Sequence, residues 1–253
     1  MRRHELLAGL HEVLRPRNYF EIGVRNGLSL ALSRSRSVAV DPFYSLTKEI
    51  RCDVHLVRTT SDEFFARKHP FAHFDVPEVD LAFIDGMHLS EFALRDFINT
   101  ERYCHPGSVV VLDDILPRTV IEAGRRRVGP AEHGAWTGDV FKVIESLRTL
   151  RPDLVVLEVD TQPTGTLVIL NPDPRSRVLA GAYDDLVADY VQPDPQVVPA
   201  SILDRRGAIS GEELLTAPSW SEIRALRGMP ATEAAGLARA AYERAGLVAG
   251  VVA

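Results

Sequence analysis

The sequence predicts an α/β fold built on a doubly wound, mostly parallel sheet of seven strands. Apolar runs of strand length alternate with segments of helical periodicity, a pattern typical of a parallel sheet that is covered on both faces. The predicted strands span residues 19–22, 38–40, 55–57, 81–84, 109–112, 154–159 and 166–170. The short gap before the last strand contains Pro163 and Gly165, which predicts that the final two strands form an antiparallel hairpin closing the sheet.

Helices are predicted on both sides of these strands. Residues 3–14 place four leucines on one helical face, and Pro16 ends that helix. A helix is expected to follow Gly27, another to begin with Ser61 as its N-cap, and two more to cover residues 89–103 and 139–150. A long polar connection is predicted from residue 115 to about Trp136.

The C-terminal third of the chain differs in character from the rest. Prolines become frequent after residue 171, and short helices are predicted over residues 211–215, 219–226 and 231–245. We therefore expect a core domain over residues 1–175 and a helical extension over residues 176–253. The extension would cover the substrate or contact a second copy of the chain.

Composition narrows the class of protein. The chain has 253 residues, is 45% hydrophobic and carries a formal net charge of −6, which argues against a nucleic-acid partner. The two cysteines have no C-x-x-C spacing and predict neither a disulfide framework nor a thiolate zinc site. Reduced thiols fit a cytoplasmic setting, and no apolar run approaches membrane-spanning length.

The first strand runs into Glu21-Ile-Gly23-Val-Arg-Asn-Gly27, an acid followed by two glycines. Gly23 would permit a sharp turn, and Gly27 would let the next helix pack closely. Twenty positions after Glu21, the second strand ends in Asp41, placed like an acid that accepts ribose hydroxyls. An acid at the first strand end suits a cationic ligand better than a phosphate. Together the motifs predict an adenosine-type cofactor; the alternative is two ordinary strand ends with solvated acids.

A second group of acids ends the fourth and fifth strands. Asp85 follows one, and Asp113 and Asp114 follow the other. Because neighbouring parallel strands end at the same edge of a sheet, these carboxylates should lie close together and need protons or a cation. A divalent ion, with Mg²⁺ the best fit, is the simplest solution. Alternatively, these acids cap a loop and contact a backbone amide.

With these motifs the chain resembles the class I S-adenosylmethionine-dependent methyltransferases over roughly residues 1–175. The resemblance implies cofactor contacts from Glu21, Gly23, Gly27 and Asp41, and also from Ser61 and Asp85. The segments Ile84-Asp85-Gly86-Met87-His88 and Pro106 to Asp114 resemble the metal-dependent branch that methylates sugar hydroxyls of natural products. In that branch the metal ligands would be Asp85, Asp113 and Asp114.

One position departs from this branch. A second acid is expected two places after the fourth-strand acid, where it can act as general base, but this chain has Met87 there. The adjacent His88 becomes the base candidate, because imidazole titrates near neutrality; otherwise it binds the metal or orients Asp85. Trp136 is a candidate to stack on a sugar or cover the cofactor.

The resulting expectation is a small-molecule O-methyltransferase with a sugar-like acceptor, catalytic residues His88 and Asp85, and Mg²⁺ assistance. A metal-independent N- or carboxyl-methyltransferase is one alternative. A noncatalytic cofactor-binding partner protein in a biosynthetic pathway is the other alternative. A homo-oligomer is compatible with all of these functions.

Overall fold

The computed structural model describes residues 1–127 and 135–248; part of the long connection predicted before Trp136 lies outside these ranges. Seven strands form one sheet. They are β1 Asn18–Ile22, β2 Arg36–Val40, β3 Val54–Val57, β4 Val79–Ile84, β5 Cys104–Asp113, β6 Val155–Val159 and β7 Thr166–Leu170.

The sheet has the strand order β3-β2-β1-β4-β5-β7-β6. Strands β1 to β5 pair in parallel, whereas β7 runs antiparallel between β5 and β6. This confirms the Rossmann-like, mostly parallel seven-stranded sheet with an antiparallel last hairpin. The carboxyl ends of β1, β2 and β4 therefore lie side by side at one edge.

Ten α-helices surround this sheet within the described ranges. They are α1 Arg3–Leu14, α2 Ser61–Phe65, α3 Ser90–Glu101, α4 Val143–Leu150, α5 Val178–Gly181, α6 Tyr183–Tyr190, α7 Ala200–Leu203, α8 Gly211–Leu215, α9 Trp220–Ala225 and α10 Ala231–Arg244. Alternate strand residues face opposite sides. Val110 and Leu112 belong to a cluster with α2 to α7, while Val109 and Val111 belong to one with α1 and α8 to α10.

The C-terminal helices are built into both of these clusters. Leu179 and Ile202 are buried on the side of α3 and α4, whereas Ile223, Ala238 and Tyr242 are buried on the side of α1. Their apolar burial is therefore shared with the sheet, and α10 lies against β5.

Two local predictions were wrong. A full helix was expected after Gly27, but only a three-residue 3-10 helix, Leu30–Leu32, forms there. The face of the sheet that this helix would have covered is covered by α1 and the C-terminal helices. At α2 the N-cap is Thr60, whose hydroxyl accepts a hydrogen bond from the Glu63 amide at 3.2 Å. Ser61 is thus the first helical residue and its hydroxyl is not used as the cap.

Within residues 1–127 and 135–248, none of the helices combines the length and apolar character that a bilayer crossing requires.

Candidate active site

A cavity of about 620 Å³ opens at the carboxyl ends of β1, β2 and β4. This is where ligands bind in open α/β sheets, and the volume lies in the range of small-molecule sites. Of the residues predicted from sequence, the cavity wall includes Gly23, Asp41, Ser61, Asp85, His88 and Asp114. Glu21, Gly27 and Asp113 do not line it.

Gly23 has a left-handed backbone with φ of 89°, directly after β1. A Cβ atom at this position would overlap the backbone carbonyl of Asp85. The first glycine of the motif is therefore required by the close approach of the β1 and β4 ends. That approach forms the floor of the cavity.

Asp41 stands at the end of β2 with both carboxylate oxygens engaged. Oδ2 accepts a hydrogen bond from the Arg25 amide at 2.7 Å, and Oδ1 accepts one from the Phe43 amide at 2.6 Å. These bonds hold the two loops that flank the cavity. A carboxylate oxygen has more than one lone pair, so Asp41 can still accept from a ligand hydroxyl.

Glu21 lies inside the protein and away from the cavity wall. Its oxygens accept hydrogen bonds from the Tyr19 hydroxyl at 2.6 Å and the Ser29 hydroxyl at 2.7 Å. Burial raises the pKa of Glu21 to about 8, although the two hydroxyls favour its ionised form. Near neutral pH it is largely protonated, so it offers a cationic ligand little of the charge that its sequence position indicates.

His88 lies between two carboxylates on the cavity wall. Its Nε2 is 3.0 Å from Oδ1 of Asp85, and its Nδ1 is 3.1 Å from Oδ2 of Asp114. Nδ1 is also 2.8 Å from the backbone carbonyl of Trp136, to which it can only donate. These three residues form the group whose potential ligand atoms all lie within 4.8 Å of one another.

The two acids control the protonation of His88. Burial lowers the pKa of His88, but the hydrogen bond with Asp85 and the charges of Asp114 and Asp85 outweigh burial and raise it to about 9. Burial alone would raise the pKa of Asp85, yet its contacts with His88 and the charge of Arg3 lower it. Burial raises the pKa of Asp114. The histidine is therefore an imidazolium near neutral pH in this arrangement.

Asp113 is directed away from this group. It forms an ion pair with Arg3 of α1, and its side chain is only 1% exposed. Successive residues at a strand end point to opposite sides, which separates Asp113 from Asp114. The predicted metal set of Asp85, Asp113 and Asp114 thus differs from the set the structure brings together, in which His88 takes the place of Asp113.

Trp136 completes the wall beside His88. The two rings stack with centroids 5.1 Å apart and an interplanar angle of 16°. The Trp136 indole nitrogen donates to the Gly124 carbonyl at 2.7 Å, which fixes the ring. Trp136 therefore orients the imidazole through both its ring and its carbonyl.

Two residues at the site were not predicted. Arg3 lines the cavity, and its guanidinium lies 3.8 Å from Asp85; nothing in its sequence context distinguishes it from an ordinary helix-start arginine. Asp96 of α3 also lines the cavity and is only 3% exposed. A signal for Asp96 exists, since it is an acid beside Leu94 and Phe97 on the buried face of its helix.

Comparison with known proteins agrees with this geometry. Residues 20–115 match a family model described as a methyltransferase domain, and this range includes the predicted cofactor, catalytic and metal residues, whereas Trp136 lies beyond it. None of the curated proteins compared with the chain matches it.

Solved structures that are similar to the chain include several methyltransferases. The O-methyltransferase TomG of Streptomyces achromogenes, involved in tomaymycin synthesis and solved with SAM, has a TM-score of 0.50 and 19% identity, over 67% of this chain and 79% of that one. An O-methyltransferase of Bacillus cereus solved with SAH has a TM-score of 0.45 and 16% identity, over 67% and 80% of the two chains. The SAH-bound methyltransferase PaMTH1 of Podospora anserina has a TM-score of 0.46 and 12% identity, over 68% and 78%.

At these identities the likeness to solved structures establishes the fold alone, and the family model supplies the assignment of residues 20–115. Residues 20–115 therefore match a methyltransferase domain, within a fold that the chain shares with a solved O-methyltransferase.

Proposed function

We propose that the protein transfers the methyl group of S-adenosylmethionine to a hydroxyl oxygen of a small molecule, with His88 as the general base. The observation that carries this proposal is the position of His88, on the wall of the cavity and held between Asp85 and Asp114. Methyl transfer is an in-line displacement, so the protein must orient the acceptor and remove its proton.

The cofactor would occupy the cavity along the strand ends. Gly23 leaves space for close backbone approach, Asp41 accepts hydrogen bonds from the ribose, and Ser61 and Asp85 border the same space. Glu21 and Gly27 would support the loop around the cofactor without touching it. For Glu21 this changes the proposed role, because its oxygens are occupied by Tyr19 and Ser29.

His88 can act as a base once it has lost the proton on Nε2. Its Nδ1 proton stays in the hydrogen bond to the Trp136 carbonyl, which leaves Nε2 as the nitrogen that accepts. An acceptor hydroxyl bound beside Asp85 would give its proton to Nε2. Asp85 holds the ring in place and stabilises the imidazolium that forms.

A divalent cation remains part of this proposal. Asp85, His88 and Asp114 fit one, because they offer two carboxylate oxygens and one imidazole nitrogen within 4.8 Å. When bound, the ion would lower the pKa of a coordinated hydroxyl. Mg²⁺ and Mn²⁺ both accept oxygen ligands, so Asp85 and Asp114 would be the protein ligands while Nε2 of His88 acts as the base.

A second candidate is a metal-independent methyltransferase with a nitrogen or carboxyl acceptor. Arg3 and protonated His88 place two positive charges among Asp85, Asp113 and Asp114, so the acids are largely balanced without an ion. Retention of full activity in excess EDTA would favour this candidate.

For the acceptor we propose a sugar or glycosylated natural product. TomG, which shares the fold, is involved in synthesis of a natural product. Trp136 offers an aromatic ring to a sugar, and Phe43 and Met87, exposed by 86% and 58%, border the cavity. A cytoplasmic location and a homo-oligomeric state remain predictions.

We further propose that the helical extension, which the structure describes over residues 176–248, serves the core domain as part of its two helical layers. Ile223 and Tyr242 are buried in the cluster that contains α1 and the sheet, which supports a structural role for this part of the extension. A role as a substrate cover or a contact between copies is compatible with the surface that this packing leaves exposed.

The proposal is tested with S-adenosylmethionine labelled on the transferred methyl and a panel of sugars, glycosides and phenols, each with Mg²⁺, Mn²⁺ or EDTA. Label is expected on a hydroxyl oxygen, identified by mass spectrometry. His88→Ala should abolish most of the transfer, whereas His69→Ala, an exposed histidine outside the cavity wall, should not. Transfer to nitrogen acceptors alone would overturn the hydroxyl proposal.

A further inference from the structure

One peptide group behind Trp136 is held at both of its ends. Its carbonyl belongs to Gly124 and accepts a hydrogen bond from the Trp136 indole at 2.7 Å. Its N–H belongs to Arg125 and donates to Oδ1 of Asp194 at 2.9 Å. Because a peptide bond is planar, fixing the direction of the N–H also fixes the direction of the carbonyl. Asp194 therefore orients the acceptor that holds the Trp136 ring.

Asp194 reaches this peptide from the C-terminal extension, 69 positions later in the chain. Its Oδ2 accepts a second hydrogen bond, from the Arg126 amide at 3.2 Å. Neither amide can turn away without losing a charge-assisted hydrogen bond. The guanidinium of Arg125 is held separately, by Glu91 and Asp139. The extension thus fixes the main chain of this loop, and the core domain fixes its side chain.

The segment that carries Asp194 is itself held in place. The buried side chain of Gln196 donates to Oδ1 of Asp194 at 2.8 Å and to the Gln192 carbonyl at 3.0 Å. Tyr190, at the end of α6, is 5% exposed, and its carbonyl accepts a hydrogen bond from Lys142 at 2.6 Å. The carboxylate is therefore presented to the loop by a packed part of the extension.

Trp136 connects this peptide group to the candidate base. Its ring stacks on the imidazole of His88, and its carbonyl receives the Nδ1 proton. An indole released from Gly124 would be free to rotate, and the imidazole would lose its stacking partner. Misplacement of a catalytic group by about 1 Å can cost about 10²-fold in rate, even when the mutation lies far from the chemistry.

We propose that Asp194 is a positioning residue for methyl transfer, through which the C-terminal extension orients Trp136 and the imidazole of His88. The inference rests on the proposed role of His88 as the general base. It gives the extension a part in the reaction, in addition to the packing of its helices on the sheet.

The first test is spectroscopic and needs no acceptor. The chain has two tryptophans, so Trp220→Phe leaves Trp136 as the only indole emitter. A stacked histidine ring quenches indole emission, so His88→Ala should make Trp136 brighter. Asp194→Ala should also raise the emission, and acrylamide should quench it more readily. In a His88→Ala protein the same change should add little intensity, because both substitutions act on one contact.

The second test compares catalysis with cofactor affinity. With the acceptor found in the labelled-methyl panel, Asp194→Ala should lower kcat by about 10-fold or more. Its dissociation constant for S-adenosylhomocysteine should stay near the wild-type value, because the loops after β1 and β2 are held by Asp41. Asp194→Asn keeps an acceptor oxygen for the Arg125 amide and should restore most of the rate. A merely destabilised protein would lose affinity and rate together.

Asp204→Ala is the matched control. Asp204 is an acid of the same extension, is half exposed and pairs with Arg206, so its removal should change neither readout. Wild-type emission in Asp194→Ala would overturn the inference. An altered emission with a wild-type kcat, in an enzyme that His88→Ala disables, would also overturn it.

The two readouts also separate this inference from the proposed function. If the wild type methylates no acceptor, or if His88→Ala keeps the wild-type rate, the role of His88 as base fails. The emission of Asp194→Ala then still decides whether Asp194 orients Trp136, because that measurement depends on neither acceptor nor cofactor.

Discussion

Nε2 of His88 lies 3.0 Å from Oδ1 of Asp85, three positions earlier in the chain. The contact depends on a left-handed backbone at His88, with φ of 55°, which turns the imidazole back toward the end of β4. A side chain at Gly138 would overlap the His88 carbonyl, so the returning loop is matched to this turn. A non-glycine residue in this conformation is strained, and such strain is concentrated at functional sites.

The rate of methyl transfer should depend on the protonation of His88. Its pKa is raised to about 9, so the base form is scarce at neutral pH and the rate in metal-free buffer should rise with pH until about 9. His88→Ala should be slower by ~10²-fold or more and lack this inflection. The measurement is S-adenosylhomocysteine formation between pH 6 and 10. A variant with the wild-type rate and profile would show that His88 is structural.

The two adjacent acids after β5 should respond differently to substitution. Asp114→Asn removes a carboxylate from the group around His88 and should weaken Mn²⁺ binding by about 10-fold or more. Asp113→Asn should leave Mn²⁺ affinity nearly unchanged and lower thermal stability, because Arg3 loses its buried partner. Electron paramagnetic resonance titration of Mn²⁺ and thermal unfolding distinguish the effects. Equal losses of affinity in both variants would restore Asp113 to the ligand set.

Asp41→Ala should weaken S-adenosylhomocysteine binding by about 1–3 kcal/mol, because the ribose loses charge-assisted hydrogen bonds. Part of this loss would come from the Arg25 and Phe43 amides, which lose their acceptor and release the flanking loops. Asp41→Asn separates the loss of ribose contacts from the loss of the loop contacts. Its carboxamide keeps one acceptor oxygen, so it can accept only part of these hydrogen bonds. Calorimetry provides the affinities, and an unchanged value in Asp41→Ala would remove Asp41 from the site.

The two glycines after β1 should differ in their tolerance of a methyl group. Gly23→Ala drives a Cβ atom into the Asp85 carbonyl at a φ of 89°, so cofactor binding should be lost along with more than ~1 kcal/mol of stability. Gly27→Ala is also strained, at a φ of 80°, but its Cβ atom would meet only Cδ2 of Leu46 at 2.8 Å, a movable side chain, so it should lose stability while retaining binding. Comparing thermal unfolding with S-adenosylhomocysteine titration checks both; normal binding by Gly23→Ala would contradict the proposed floor of the cavity.

Tyr242 of α10 tests the structural role of the C-terminal extension. It is fully buried, and its hydroxyl has no hydrogen-bond partner in the described part of the chain. Tyr242→Ala should lower the free energy of unfolding by about 3–5 kcal/mol. Tyr242→Phe removes only the unpaired hydroxyl and should be neutral or stabilising. Urea unfolding measures both, and a mild Tyr242→Ala would mean that the extension packs weakly on the sheet.

Strand positions were predictable because each strand is a short apolar run bordered by polar residues. The helix expected after Gly27 was not formed, and its local sequence could not show why. Residues 28–35 would have had to cover a sheet face that α1 and the distant helices α8 to α10 occupy. Propensity describes only neighbours along the chain, whereas this outcome depends on packing between its two ends.

The candidate site can likewise be divided into features that the local sequence predicts and features that depend on tertiary packing. The proximity of Asp85 and Asp114 could be predicted because strand ends converge at one sheet edge, and both residues line the cavity. The choice between Asp113 and Asp114 depends on where β5 ends to within a single residue, since a shift of one position reverses the face. Burial of Glu21 and the arrival of Arg3 from α1 are likewise set by tertiary packing, which a motif does not encode.

The placement of α10 against β5 has a consequence for biosynthesis. Val109 and Val111 on the central strand face a layer that is completed by residues near the C-terminal end, including Ala238 and Tyr242. A ribosome delivers these partners long after β5, so the strand that carries Asp113 and leads into Asp114 emerges with one apolar side uncovered. Non-local contacts of this kind slow folding and lengthen the time for which aggregation-prone apolar surface is exposed. A nascent chain halted before α10 should therefore bind chaperones. Its release from them should coincide with the packing of α10 against β5.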